Sequence, residues 1–236
     1  MTRSRSRMSL IALPLLLGAL ALGLGLGLGS TGCDPKDDDD LPKAGVACSS
    51  LSPSPAIVTD IDETLTTSDE EFIQQMLEPD YVPAMRPGSL ELVKALYKRG
   101  YLVMYLTARA ETLELMDGTS GREATEGWLV DMGFPMDPDR TEVVLAPSSL
   151  VGDEEGTAAY KRDAILDRVA AGWTFDFAFG NATTDASGYL EAGIPPDQIY
   201  MIGDHAGYQG TVAVQGEGWT TLIETELAPL PRVCDF

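Results

Sequence analysis

The chain has 236 residues and a formal net charge of −21, with 37 Asp and Glu against 16 Lys and Arg. This charge argues against nucleic acid as a partner, because phosphate binding requires Lys and Arg, and against attraction to an anionic membrane through a basic patch. The length suits one sizeable α/β domain with a complete core.

The first 33 residues have the order of a secretory signal. Three Arg precede an apolar run over residues 10–29, and small residues then lead to Cys33. A cysteine directly after small residues resembles a bacterial lipoprotein signal, which implies a signal peptide over residues 1–32 and lipid attachment to Cys33. Ser30 stands where that signal usually has leucine. The alternative is an uncleaved anchor, because the run is close to the ~20 apolar residues that span a bilayer.

In either case we expect a membrane-anchored protein of the cell envelope that faces the periplasm or the exterior. Removal of residues 1–32 would leave 204 residues with a net charge of −24, because three Arg and no acidic residue precede Cys33. Residues 33–55 hold Asp37–Asp40, several Pro and Ser and little apolar content, which predicts a flexible acidic tether before a domain over residues 56–236. We expect a monomer.

Two further cysteines lie at the two ends of the predicted domain. Cys48 precedes the domain and Cys234 stands near its end. An oxidising compartment would allow them to pair and tie the ends together.

From residue 56 onward, short apolar runs alternate with amphipathic stretches. We predict strands at residues 56–59, 101–106, 142–145, 175–179 and 198–202, with 218–223 as a candidate sixth strand. We predict helices at residues 88–99, 121–132, 157–171 and 184–192. In the first helix, Ser89 is expected to be the N-cap and Gly100 to end the helix. The short insert between Thr66 and Pro87 predicts a small lid or packing helix rather than a large cap domain.

Continuous apolar strands separated by helices indicate a parallel sheet with helices on both faces, the three-layer Rossmann-like α/β class. In open sheets of this class, the ligand site lies beyond the carboxyl ends of the strands. Polar residues follow the predicted strands at this edge: Asp60 and Asp62 after the first, Thr107 and Arg109 after the second, and Asn181 and Asp185 after the fourth, with Lys161 in the helix that follows the third.

These side chains supply what phosphoryl transfer needs: a nucleophile, an acid, donors to phosphate oxygens and ligands for a metal. Asp60 can attack phosphorus and form an aspartyl phosphate. Asp62 can protonate the leaving oxygen and then deprotonate the hydrolytic water. Mg²⁺ prefers oxygen ligands, which Asp60, the Asp62 carbonyl, Asp185 and Asn181 can provide.

The phosphate itself has three predicted partners, Thr107, Lys161 and Arg109, although Arg109 could equally pair with a carboxylate. Taken singly, each element of the set is ordinary, since an isolated lysine is usually a surface charge and Asn181 could simply cap a helix. The specific signal is the ordered set, with each member after the appropriate element.

This ordered set resembles the haloacid dehalogenase (HAD) phosphatase superfamily. Residues 60–64 match its first motif, Thr107 its second, Lys161 its third and residues 180–185 its fourth. Residues 60–66, 105–110, 146–150 and 178–181 are similar to the catalytic domain of lipins, the phosphatidate phosphatases. Residues 86–89 and 198–203 are more similar to the C-terminal domain of the Nir/RdgB phosphatidylinositol-transfer proteins.

The two relatives imply different functions. Lipins imply Mg²⁺-dependent hydrolysis of phosphatidate, whereas the transfer-protein domain implies phosphatidate binding without turnover, after loss of catalytic aspartates. Because Asp60 and Asp62 are both present, we favour the enzyme. A third alternative is an envelope acid phosphatase for soluble nucleotides or sugar phosphates. A small cap would leave the site open to a bulky or surface-bound substrate, which favours a lipid or another macromolecule.

Further residues lie in or near these motifs. Glu63 stands where lipins commonly have glycine, and Asn181 matches the lipin form where many superfamily members have aspartate. Ser148 and Ser149 are candidates to line the substrate cleft. His205, the only histidine, is expected to be a surface residue because it is a lone histidine in a loop.

Overall fold

The computed structural model describes residues 41–150 and 152–236, and its centre is a parallel sheet of six strands. The strands are β1 (Ser54–Thr59), β2 (Leu102–Ala110), β3 (Thr141–Ala146), β4 (Trp173–Gly180), β5 (Ile199–Met201) and β6 (Val212–Ala213). The helices are α1 (Glu70–Leu77), α2 (Ser89–Lys98), α3 (Gly121–Asp131), α4 (Glu154–Ala170), α5 (Thr183–Glu191) and α6 (Thr220–Leu222), which continues as a π-helix over Ile223–Leu227. The strand order is β3-β2-β1-β4-β5-β6, and every pairing is parallel.

Helices cover both faces of the sheet, and β1 shows why its sequence is apolar throughout. Ile57 packs on one face in a cluster that includes side chains of α2, α3 and the segment around Trp219. Val58 packs on the other face with Ile165 of α4 and Tyr189 of α5. Because successive side chains of a strand point to opposite faces, a strand covered on both must be apolar at every position. The predicted three-layer α/β class is confirmed.

The five predicted strands and four predicted helices are present within a few residues of their predicted ends, but two details were wrong. Ser89 is the first residue of α2 rather than its N-cap, which is Gly88 with a φ of 79°. Residues 218–223 do not form a strand. Trp219 is fully buried and its indole N–H donates to the Thr64 carbonyl at 2.9 Å, which holds this segment against the loop after β1. The sixth strand is β6, paired with β5.

The folded domain begins before the predicted boundary at residue 56. The Asp235 carboxylate accepts hydrogen bonds from the amides of Ala44 and Gly45, and its carbonyl accepts one from the Cys48 amide. A disulfide joins Cys48 to Cys234. Residues 44–55 are therefore part of the domain and not of the tether predicted for residues 33–55.

Other predictions about the N-terminus concern residues 1–40 and lie outside the described residues. They are the signal peptide, lipid attachment at Cys33 and the charged run Asp37–Asp40. Within the part of the chain that the structure describes, no helix has the length and apolar character needed to cross a membrane.

The disulfide should contribute strongly to the stability of the fold and have no effect on activity. It joins residues 186 positions apart and packs against Gly100, where a Cβ atom would lie 2.8 Å from Cys234 Sγ. Gly100 precedes β2, at the end of the sheet opposite the carboxyl ends of the strands. We expect Cys48→Ser/Cys234→Ser to lower the free energy of unfolding by roughly 2–5 kcal/mol, because the open chain gains entropy when it unfolds.

Denaturant unfolding of the full-length parent and the double variant, and of the parent with and without reductant, measures this difference. The phosphatase activity expected from the sequence, assayed at a temperature where both forms are folded, serves as the control and should not change. Superimposable unfolding curves for the reduced and oxidised protein would show that the disulfide does not stabilise the fold.

Candidate active site

Five of the seven polar residues predicted for the carboxyl edge of the sheet line one cavity of about 610 Å³, and the other two, Thr107 and Asp185, are buried beside them. Asp60 directly follows β1, and Thr107 and Arg109 lie in the last part of β2. The cavity wall includes Asp60, Asp62, Arg109, Lys161 and Asn181. The edge chosen from the topology is therefore where these side chains meet.

A tight turn after β1 presents the two aspartates to the cavity. The Ile61 carbonyl accepts hydrogen bonds from the amides of Leu65 at 2.8 Å and Thr66 at 3.0 Å. The Ile61 side chain is fully buried in the core below. Because Ile61 anchors the turn, its neighbours Asp60 and Asp62 face the cavity.

Lys161 lies between two buried carboxylates. Its Nζ is 2.7 Å from Asp60 Oδ1 and also hydrogen-bonds to Asp185 Oδ1, and only 3% of the lysine side chain is exposed. The other oxygen of Asp185 accepts from the amides of Asn181 at 3.0 Å and Ala182 at 2.9 Å. Both Asp185 oxygens are therefore engaged. This residue anchors Lys161 and the loop after β4 and does not line the cavity, and its role as a metal ligand stays a prediction.

The electrostatics of this group follow from its burial. Burial raises the pKa of the Asp60 carboxyl to about 8, although the Lys161 ammonium opposes that effect. Burial alone would lower the pKa of Lys161, but the carboxylates of Asp185 and Asp60 raise it above its ordinary value, which keeps the lysine charged. One ammonium thus faces two carboxylates, and an added cation would favour the ionised form of Asp60.

Arg109 pairs with Asp62, which is one of the two alternatives that the sequence left open. Arg109 Nη2 lies 2.7 Å from Asp62 Oδ1, and Nε lies 3.0 Å from Oδ2. Its Nη1 donates to Thr125 Oγ1 at 3.2 Å, and the guanidinium lies 4.1 Å from the centre of the Phe72 ring. A guanidinium held on three sides orients Asp62 and does not offer an open fork to a phosphate.

Thr107 lies beside the same pair. Its hydroxyl lies 3.4 Å from Asp62 Oδ2 and accepts from the Arg109 amide at 3.1 Å. The side chain is fully buried and does not line the cavity, so its contact with a phosphate stays a prediction.

Asp60 and Asn181 have oxygens close to a single hydroxyl group. Thr64 Oγ1 donates to Asn181 Oδ1 at 2.9 Å and lies 3.4 Å from Asp60 Oδ2. Among the described residues, no cluster of three or more His, Cys, Asp and Glu side chains could hold a metal ion. A site here would use one carboxylate, the Asn181 amide oxygen and the Asp62 carbonyl. These hard oxygen donors fit Mg²⁺, which retains several waters.

The outer wall of the cavity is apolar. Phe72, Ile73 and Met76 of α1 line it together with Leu113, and Ile73 is 46% exposed. The predicted small packing helix is thus α1, which forms one side of an open site.

Of the other residues considered from sequence, Ser149 lines the cavity, and His205 is an exposed side chain on its rim. Thr64, Thr125 and Phe72 were not assigned roles from sequence. Thr64 lies inside the first motif, which was a usable signal. Thr125 and Phe72 reach the site only through the packing of α3 and α1, which no local pattern reveals.

Comparison with known proteins assigns the chain to a family. A family model described as the LNS2 domain of PITM 1-3 matches residues 57–203, which is more than half of the chain and includes every predicted catalytic and metal-binding residue. No curated protein matches the chain.

Among solved structures, one of the Pnkp1/Rnl/Hen1 RNA repair complex matches at 18% identity over 70% of this chain and 47% of that chain, with a TM-score of 0.48. A second structure of the Pnkp1/Rnl/Hen1 complex matches at 17% identity over 70% and 50%, with a TM-score of 0.46. A Mesorhizobium loti protein described as a HAD-like phosphatase matches at 13% identity over 74% and 84%, with a TM-score of 0.48. The chain spans about half the length of the first two structures. This match confirms the resemblance to lipins and to the Nir/RdgB C-terminal domain, and the chain belongs to the LNS2 domain family.

Proposed function

We propose that this protein is a Mg²⁺-dependent phosphomonoester hydrolase that acts through an aspartyl phosphate on Asp60, with phosphatidate or a related phospholipid as its substrate. The observation that carries the proposal is the pairing of Asp60 with Lys161 at 2.7 Å beside a second aspartate, Asp62, on the same cavity wall. This arrangement combines a nucleophile, its ammonium partner and an acid within one site.

The reaction follows from these groups. Lys161 holds Asp60 in place while a carboxylate oxygen attacks phosphorus, and the bond between phosphorus and the leaving oxygen breaks. Asp62, held by Arg109, gives its proton to that leaving oxygen. Asp62 then removes a proton from water, whose oxygen attacks the aspartyl phosphate and releases inorganic phosphate with Asp60 restored. Mg²⁺, held by Asp60, the Asp62 carbonyl and Asn181, would supply charge stabilisation to the phosphate oxygens.

The apolar wall of the cavity favours a lipid over a nucleotide or sugar phosphate. The wall formed by α1 continues onto the surface, where Leu77 is 55% exposed and Met116 is 69% exposed. The Met116 amide donates to the Met76 carbonyl at 3.1 Å, which places this exposed side chain next to α1. Apolar surface that is continuous with a catalytic cavity suits the acyl chains of a phospholipid.

A phosphate-release assay tests the proposal. The full-length chain in detergent micelles is given phosphatidate, p-nitrophenyl phosphate, nucleotides or sugar phosphates, with Mg²⁺ or with a chelator. We expect release that requires Mg²⁺ and is fastest with phosphatidate. Binding of phosphatidate without release from any ester would favour the non-catalytic module, and release from soluble esters alone would favour an envelope acid phosphatase.

Substitution of a residue in the apolar wall tests the preference for a lipid substrate separately from the capacity to release phosphate. Ile73→Ser should slow turnover of phosphatidate while leaving that of p-nitrophenyl phosphate close to the parent, because only the lipid uses the wall. Val130→Ser, which changes a 57% exposed side chain of α3 outside the cavity, is the matched control. Equal effects of Ile73→Ser on both substrates would count against the lipid assignment.

A further inference from the structure

Glu63 is part of the site but has no place in the reaction described above. It stands between Asp62 and Thr64 with a φ of 53°, a left-handed conformation that favours glycine. A glutamate at this position holds a backbone conformation that is unfavourable for a residue with a side chain. The contacts of that side chain therefore indicate what it does.

The Glu63 carboxylate determines which way the Asn181 amide points. Glu63 Oε2 accepts from Asn181 Nδ2 at 2.9 Å, while Asn181 Oδ1 accepts from Thr64 Oγ1 at 2.9 Å. An ionised carboxylate can only accept hydrogen bonds, so the NH₂ group must face Glu63 and the oxygen must face the opposite way. That opposite side is where Thr64 Oγ1 lies 3.4 Å from Asp60 Oδ2.

We propose that Glu63 is a positioning residue for the divalent cation, a role that rests on the proposed function. By holding the NH₂ group, Glu63 keeps the Asn181 oxygen turned toward Asp60, where the cation requires an oxygen ligand. With glycine at position 63 the amide would keep its contact with Thr64 Oγ1, but a hydroxyl can accept as well as donate. The amide could then turn and present NH₂, which cannot bind a cation. Groups that orient a metal ligand commonly change metal affinity by about 10–100-fold when removed.

Three variants of the full-length chain separate this role from general charge and from folding. Glu63→Gln retains a carbonyl oxygen that can accept from Asn181 Nδ2 but removes the charge. Glu63→Gly removes both and relaxes the backbone. Asp204→Asn is the charge control, because Asp204 borders the same small cavity as Glu63 and Asn181 and has no hydrogen bond to either among the described residues.

The readout is Mn²⁺ affinity from electron paramagnetic resonance of free Mn²⁺, with Mg²⁺ affinity from competition. We expect Glu63→Gly to weaken Mn²⁺ binding by about tenfold or more, with Glu63→Gln and Asp204→Asn close to the parent. The melting temperature of Glu63→Gly should equal or exceed that of the parent, because glycine adopts this φ without strain. A purely structural role for Glu63 would lower it.

Two results would overturn this inference and leave the proposed function unaffected. Parental Mn²⁺ affinity in Glu63→Gly would show that Asn181 does not need Glu63, and equal losses in Glu63→Gln and Glu63→Gly would show that charge matters and orientation does not. If the parent itself releases phosphate but binds neither Mn²⁺ nor Mg²⁺, the proposed cofactor fails and the inference fails with it.

Discussion

Asp60→Asn should reduce Mg²⁺-dependent phosphate release by roughly 10⁴-fold or more, the scale seen when a nucleophile is removed from a covalent mechanism. The amide oxygen of asparagine cannot form the aspartyl phosphate. It can still accept a hydrogen bond from Lys161, which lies 2.7 Å from Asp60 Oδ1. The expected loss is therefore chemical and does not reflect disruption of the site.

Stability measurements on the same variant distinguish loss of the nucleophile from disruption of the site. Because burial raises the pKa of Asp60 from 3.8 to about 8, Asp60 must take up a proton on folding at neutral pH, which opposes folding. We therefore expect Asp60→Asn to unfold at the same temperature as the parent or a higher one. Asp69→Asn is the matched control, since Asp69 also borders the cavity, and it should retain activity. Retained activity in Asp60→Asn, or an equal loss in Asp69→Asn, would contradict the assignment of the nucleophile.

Lys161→Met should lower the free energy of unfolding by roughly 3–5 kcal/mol. Lys161 is 97% buried, and its ammonium contacts both Asp60 and Asp185. Removing it leaves two carboxylates without their cation inside the protein. Denaturant unfolding measures the loss, and the double variant Lys161→Met/Asp185→Asn should lose less than the sum of the single variants.

The loss in Lys161→Met should also depend on pH. Lys161 is the strongest influence that lowers the pKa of Asp60 against the effect of burial, so the variant raises that pKa further. A carboxyl whose pKa is higher in the folded state than its ordinary value of 3.8 favours folding at low pH, and this advantage disappears as pH rises through the folded pKa. Asp60 is already protonated below about pH 8 in the folded parent. The stability lost by the variant relative to the parent should therefore stay constant from pH 5 to pH 7 and grow above pH 8. A pH-independent loss would indicate a packing defect instead.

The order of polar residues after the strands was enough to predict the edge of the sheet and most of the site. Asp60 and Thr107 lie at one edge because parallel strands end there, and Lys161 reaches Asp60 from α4. The pattern cannot tell which donor each carboxylate takes. The Arg109 pair with Asp62 and the engagement of both Asp185 oxygens depend on side-chain geometry set by distant segments.

The errors in the predicted fold have a similar cause. Residues 218–223 have a local pattern compatible with a strand, but Trp219 reaches the Thr64 carbonyl and forms the start of a helix instead. Residues 44–55 look like tether because they are poor in apolar side chains. Their attachment comes from a disulfide and backbone hydrogen bonds to Asp235, nearly the whole chain away.

Capture of the covalent intermediate tests the central claim most directly. Asp62→Asn lacks the base for the second step, and p-nitrophenolate leaves without needing a proton, so p-nitrophenyl phosphate should phosphorylate this variant in one rapid turnover. After acid quenching and proteolysis, mass spectrometry should find phosphate on Asp60, and hydroxylamine should remove it. Continued turnover with Asp60 unmodified, or phosphate on another residue, would contradict the account.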